Sequence, residues 1–213
     1  MRIGVLGSGV VGQVLSDGFL KKGHEVTRGS REPSKLQAWA SAAGPRGHAG
    51  TFGEAARFGE VVVLAVKGAG AVEAAASCAD AVAGKTVIDT SNPIADAPPV
   101  NGVLRFFTGP DDSLLERLQA KVPSAHFVKA FSCVGNALMV DPKLPGGPPT
   151  MFICGNDEAA KRQVVGLLDQ LGWETEDLGA VEAARAIEPL CMLWCIPGFR
   201  QNRWDHAFKL LRR

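Results

Sequence analysis

Arg2-Ile3-Gly4-Val5-Leu6-Gly7-Ser8-Gly9-Val10-Val11-Gly12 opens the chain with a short apolar run, three spaced glycines and the start of an amphipathic stretch. A G-x-G-x-x-G placed after a strand and before a helix is the βα turn of a dinucleotide-binding unit. Gly7 allows the tight turn, Gly9 leaves room for a diphosphate at the backbone, and Gly12 lets helix and strand pack closely. The phosphates would meet the first amides of the helix, which lack intrahelical acceptors and sit at its positive end. Gly9 is therefore the point of closest diphosphate approach, with Gly7 and Gly12 shaping the turn.

Downstream of this turn, strand-like runs at residues 25–28, 61–66, 86–89, 126–129, 151–154 and 174–177 alternate with stretches of helical spacing. Such alternation predicts a Rossmann-like, doubly wound, mainly parallel sheet with helices on both faces. Val61-Val62-Val63-Leu64-Ala65-Val66 has no polar alternation, as expected of a strand covered on both sides. Thr51-x-x-Glu54 and Ser113-x-x-Glu116 read as capping boxes at helix starts. No repeat or composition break divides the 213 residues, so residues 1–213 are expected to form a single domain. Residues from about 180 to 213 are expected as a short helical C-terminal extension, with Pro189 kinking or restarting its helix.

About 20 residues beyond the glycine turn, NAD-preferring proteins carry an acid for the ribose hydroxyls. Here the second strand runs into Arg28-Gly29-Ser30-Arg31, with Lys35 one turn later. A hydroxyl and two cations offer charge-assisted donors to a 2′-phosphate, so Ser30, Arg31 and Lys35 predict NADP(H) as the cofactor. Glu32 is the opposing signal, because a shift of two residues would make it the ribose acid.

Composition removes several other classes. A formal net charge of +1 gives no broad field for nucleic acid or an anionic bilayer, so neither is expected as a partner. No apolar stretch reaches the roughly 18 residues of a spanning helix, and residues 2–6 run straight into the glycine turn, so a cytoplasmic chain without a leader is expected. The five scattered cysteines, with no Cys-x-x-Cys, read as thiols of a reducing compartment, and no residues are assigned as metal ligands. With no tyrosine, the Ser/Tyr/Lys relay of short-chain dehydrogenases cannot exist.

The glycine turn is followed in order by Gly23-His24-Glu25-Val26, Gly29-Ser30-Arg31, Leu64-Ala65-Val66, Ile88-Asp89-Thr90-Ser91-Asn92-Pro93-Ile94, Val128-Lys129-Ala130-Phe131 and Ala184-Arg185-x-x-Glu188-Pro189-Leu190. In this ordered set the sequence resembles the coenzyme F420-dependent NADP reductases and their relatives, a group that includes the NADPH-oxidising domain of membrane ferric reductases. The resemblance implies hydride exchange between NADP(H) and a planar acceptor such as coenzyme F420 or a flavin. It implies Ser8, Gly9, Val10 and Val11 at the pyrophosphate and Val66, Asn92 and Pro93 at the nicotinamide-side ribose and ring, with Ala65, Lys67 and Ala130 as further cofactor-binding candidates. Lys67 reads either as a contact to a phosphate or an anionic acceptor or as a solvated loop lysine, and no side chain is assigned as catalytic. Hydride transfer between two rings needs alignment and a dry site more than a titrating group. Lys67-Gly68-Ala69-Gly70 and Ser132-Cys133 depart from the usual family pattern, and Cys133 reads either as a redox thiol or as an ordinary buried cysteine.

Two other functions compete with this expectation: an NADPH-dependent reductase of a small imine, quinone or ferric chelate, and a non-catalytic NADPH/NADP-sensing module. The tail, with Trp194, Phe199, Trp204 and Phe208, reads as core packing, or as a surface that forms a homodimer seam or roofs the acceptor.

Overall fold

In a computed structural model that describes residues 1–213, the opening apolar run is strand β1 (Arg2–Leu6), and the glycine turn leads into helix α1 (Val10–Lys21). The chain continues through β2 (Glu25–Gly29), α2 (Gln37–Ala43), β3 (Gly47–Gly50), α3 (Phe52–Phe58) and β4 (Val61–Leu64). Helices α4 (Ala71–Ala76) and α5 (Ala79–Val82) lead to β5 (Thr86–Asp89), then α6 (Leu114–Lys121) and β6 (His126–Lys129). Next come β7 (Thr150–Ile153), α7 (Glu158–Gln170), β8 (Glu174–Asp177), α8 (Ala184–Ile187) and α9 (Leu190–Gln201).

Six strands form one parallel sheet in the order β3-β2-β1-β4-β5-β6, with Ile3 beside both Val26 and Val61. β1 to β3 grow outward on one side and β4 to β6 on the other, so the order reverses between β1 and β4. That reversal opens a crevice at the carboxyl ends of the strands, the usual ligand position in such sheets. β7 and β8 form a separate parallel pair, tied to the end of β6 by an antiparallel bridge from Lys129 to Cys154.

The sheet separates two apolar cores. Val61 and Val63 point into one with Ile3, Val5, Leu15 and Phe19, while Val62 and Leu64 point into the other with Leu6, Ala55 and Leu118. This explains the unbroken apolar run in β4, because both of its faces are covered. Gly4 lies under α3, where a Cβ would come within 2.1 Å of the Ala55 carbonyl oxygen.

Thr51 and Glu54 form the expected capping box at α3. Ser113 caps α6 by accepting from the Glu116 amide at 3.2 Å. Pro189 does interrupt the late helix, separating α8 from α9.

The structure adds one strand and corrects the helical tail. Strand β3 was not anticipated, because Gly47-His48-Ala49-Gly50 has no β-branched residue. It pairs only with β2, at the sheet edge. The extension is helical only to Gln201, since Asn202 closes α9 in a left-handed conformation (φ 53°) and residues 202–213 are not helical. These residues run beside β7 instead, where the Thr150 amide donates to Phe208 O at 2.9 Å and the Leu210 amide to Thr150 Oγ1 at 3.0 Å. Trp204 folds back over Gly198, and His206 stacks on Trp194 with ring centroids 5.1 Å apart.

Candidate functional site

The three glycines of the first turn do different work. A Cβ on Gly7 would lie 2.2 Å from Ala65 O, and one on Gly12 would lie 2.6 Å from Gly7 O, so both positions bring backbone against backbone. A Cβ on Gly9 would meet nothing within 4 Å. Protein packing therefore does not require a glycine there, which leaves close ligand approach as its use. The amides of Ser8, Val10 and Val11 donate to no protein acceptor. Val10, an apolar residue, is 58% exposed beside them.

This loop borders a cleft of about 980 Å³ over the carboxyl ends of β1, β2, β4 and β5. Gly7, Ser8, Gly9, Val10 and Val11 form its floor, and Ser30, Arg31 and Lys35 form one rim. Ala65, Val66 and Lys67 line the other end, where β4 gives way to α4. Ser30 is buried, and its Oγ accepts from the Glu32 amide at 3.1 Å. Lys35 pairs with Glu32 at 2.8 Å, and this partner holds the exposed Glu32 carboxyl below its ordinary range. Arg31 is exposed and makes no ion pair.

Gly12, Asn92, Pro93 and Ala130 do not reach the wall of this cleft. Gly12 sits beneath the loop, and Ala130 is fully buried, its amide donating to Asp89 O at 3.0 Å. Asn92 adjoins the far end of the cleft through Gly68, which packs so tightly that a Cβ would lie 1.9 Å from Asn92 O. Its Nδ2 donates to Ser132 O at 2.9 Å, while Asn92 Oδ1 and Ser132 Oγ are buried without partners. Between Ala130 and Ser132, Phe131 adopts φ 61°, a strained conformation for a bulky aromatic residue.

Phe52, Glu73, Ser77 and Thr90 also line the cleft, although the sequence reading did not assign them. Glu73 and Ser77 are four apart, a spacing that puts them on one helical face, but only the fold turns that face toward the glycine loop. Thr90 directly follows β5, and its Oγ1 donates to Leu64 O at 3.1 Å.

Beneath the ends of β5 and β6 lies a buried ionic cluster. Lys129 Nζ contacts Asp89 Oδ2 at 2.5 Å, Glu188 Oε1 at 2.8 Å and Ser91 O at 2.9 Å, with all three ionic side chains at or below 1% exposure. Burial alone would lower the Lys129 pKa, but the Asp89 and Glu188 charges outweigh it and raise the value. Glu188 also accepts from the Leu114 and Leu115 amides at 3.0 Å each, capping α6 from the late helices. Asp89 Oδ1 accepts from both the amide and the hydroxyl of Ser91, which fixes the turn leading to Asn92. Cys133, nearby, is buried, and burial pushes its thiol up to about 12, which favours an ordinary buried cysteine over a redox thiol.

A doubly wound parallel sheet with a bare-amide glycine loop at its switch point defines a Rossmann-like dinucleotide-binding protein. The chain belongs to the family of coenzyme F420-dependent NADP oxidoreductases, whose pattern matches residues 2–93. A crystal structure from Arthrobacter sp. FB24, provisionally named an F420-dependent NADP reductase, is 34% identical over 100% of both chains, with a TM-score of 0.90. The F420-dependent NADP reductase of Methanocaldococcus jannaschii is 30% identical over 141 residues, 66% of this chain and 62% of that protein. Metalloreductase STEAP3 of Rattus norvegicus is 28% identical over 201 residues, 92% of this chain. The chain covers only 38% of that relative's length. No helix of the chain is long and apolar enough to cross a membrane.

Proposed function

We propose that this chain is an oxidoreductase that binds NADP(H) across the carboxyl edge of its sheet and serves hydride exchange with a planar acceptor, coenzyme F420 or a flavin. The observation that carries the reading is the single cleft joining the bare amides of the glycine loop to the basic rim at Ser30, Arg31 and Lys35. The open space at Gly9 fits a diphosphate. Ser8, Gly9, Val10 and Val11 would hold it, with Gly7 and Gly12 supporting the turn. Ser30, Arg31 and Lys35 would hold the 2′-phosphate. Lys35 is already tied to Glu32, so the unpaired Arg31 carries the larger share of that recognition.

When bound, the cofactor supplies or accepts a hydride at its nicotinamide ring. The chain's part is to orient and to exclude water. Ala65, Val66 and Lys67 would border the nicotinamide end, with Asn92, Pro93 and the buried Ala130 shaping it from behind. The names of the reductase relatives from Arthrobacter and Methanocaldococcus support a deazaflavin acceptor. Five free cysteines, four of them buried, support a cytoplasmic setting. Exposed Leu193 and Phe199 on α9, with Val100 and Val103 in the loop packed on it through Gly102, support a homodimer that gel filtration would resolve from a monomer.

Calorimetric titration of NADPH and NADH into wild-type protein and Arg31→Gln tests the cofactor reading. NADPH should bind wild type more tightly, and the variant should lose about 1.5–3 kcal/mol toward NADPH, the range for a charged hydrogen bond, with little change toward NADH. Equal losses for both nucleotides would refute the assignment of Arg31.

A further inference from the structure

The side chain of Arg28 packs against the carbonyl side of the glycine loop and does not line the main cleft. It is 1% exposed, and its Nη2 donates to Gly7 O at 3.4 Å and to Gly9 O at 3.3 Å. The guanidinium carbon stands 4.8 Å from the centre of the Trp39 ring, and Trp39 Nε1 in turn donates to Asp17 Oδ1 at 2.7 Å. Arg28 Nε is buried with no partner. Ser8 and Lys35 line both the main cleft and a smaller cavity of about 580 Å³ into which Arg28 faces.

Planar trans peptide units turn these contacts into a directional constraint. In each unit the C=O and the following N–H point in opposite directions, and the chain has no cis peptide bond. Drawing Gly7 O and Gly9 O toward Arg28 therefore turns the amides of Ser8 and Val10 away from it, toward the cleft. These amides have no protein acceptor. Gly9 O also receives the first helical bond of α1, from the Gln13 amide at 3.1 Å, so Arg28 and the helix share that anchor. A cation behind two oriented amides and a helix N-terminus all favour negative charge at one place.

We propose that Arg28 is a positioning residue: it sets the glycine loop from behind so that the Ser8 and Val10 amides receive a diphosphate, and it adds its charge to theirs. The inference rests on the dinucleotide reading above. It concerns the part common to NADPH and NADH, whereas Arg31 addresses the part in which they differ.

The test compares wild type, Arg28→Met, which keeps an apolar stem against Trp39, and Arg28→Lys, which keeps the charge. Calorimetry would measure NADPH, NADH and adenosine 2′-phosphate, the last carrying the 2′-phosphate without a diphosphate. In Arg28→Met, NADPH and NADH should both weaken by about tenfold or more and by the same factor, while adenosine 2′-phosphate binds as in wild type. Arg28→Lys should show the same pattern with a smaller loss, and it serves as the reporting variant if Arg28→Met does not fold. NADPH affinity unchanged in both variants overturns the proposal, and so does an equal loss of all three ligands, which would mark a packing defect. Wild-type protein that binds neither dinucleotide overturns the cofactor reading and this inference together.

Discussion

Replacing Lys129 with Met removes the cation from the cluster beneath the strand ends and strands two carboxylates in the core. Asp89 and Glu188 are 0% and 1% exposed, and Lys129 is their only cationic partner. Breaking a buried ion pair by removing one member costs about 3–5 kcal/mol. Two stranded acids raise that cost, but each retains hydrogen bonds: Asp89 from the Ser91 amide and hydroxyl, Glu188 from the Leu114 and Leu115 amides. The net expectation stays at about 3–5 kcal/mol at pH 7. At roughly 2–4 °C per kcal/mol for a chain of this size, the melting temperature should fall by about 10 °C.

Urea unfolding at pH 7 would measure the deficit, and adding Glu188→Gln to the variant should recover part of it, because one stranded charge is then removed from the core. A deficit under about 1 kcal/mol, the size of an ordinary substitution, would show that the cluster does not hold the strand ends as described.

Other consequences are simpler to check. Gly9→Ala should fold with near wild-type stability, since its Cβ meets no protein atom, yet bind NADPH more weakly; Gly12→Ala should melt lower, because its Cβ would press on Gly7 O at 2.6 Å. Asp141, bonded to Lys21 and Lys22 at 2.6 Å each, has its carboxyl lowered to about 2, so its stabilisation is full above the ordinary carboxylate range and is lost as pH falls toward 2. Asp141→Asn should accordingly remove part of the stability lost by wild type over that interval, as followed by circular dichroism. Cys133, with its thiol near 12, should resist iodoacetamide in the folded protein at pH 8, as read by peptide mass spectrometry.

Local chemistry made the central strands legible. Residues 61–66 announce a strand covered on both faces, and the first glycine turn announces a phosphate-facing loop, because both signals lie within a few adjacent residues. β3 escaped notice because Gly47 and Gly50 are chosen for contact, not propensity: a Cβ on Gly47 would sit 2.3 Å from that of Ala43, and one on Gly50 would press on Glu54. The tail looked helical through its apolar residues, yet Trp204 and His206 are used to bind residues 202–213 back onto α9. Asp89, Lys129 and Glu188 each stood in a quoted motif, but their meeting depends on parallel pairing of β5 with β6 and on the return of the chain through α8. Arg28 stood in the quoted turn after the second strand with no role legible, because its partners are backbone carbonyls 19 and 21 residues away.

Hydride transfer is tested most directly by anaerobic mixing of the purified chain with NADPH and oxidised coenzyme F420, following loss of the deazaflavin absorbance, with NADH and free flavin in parallel. Rapid reduction of coenzyme F420 or flavin is expected, dependent on NADPH and far slower with NADH. Tight NADPH binding with no reduction of either acceptor above background would contradict it, leaving the chain a nucleotide-binding module without this hydride transfer.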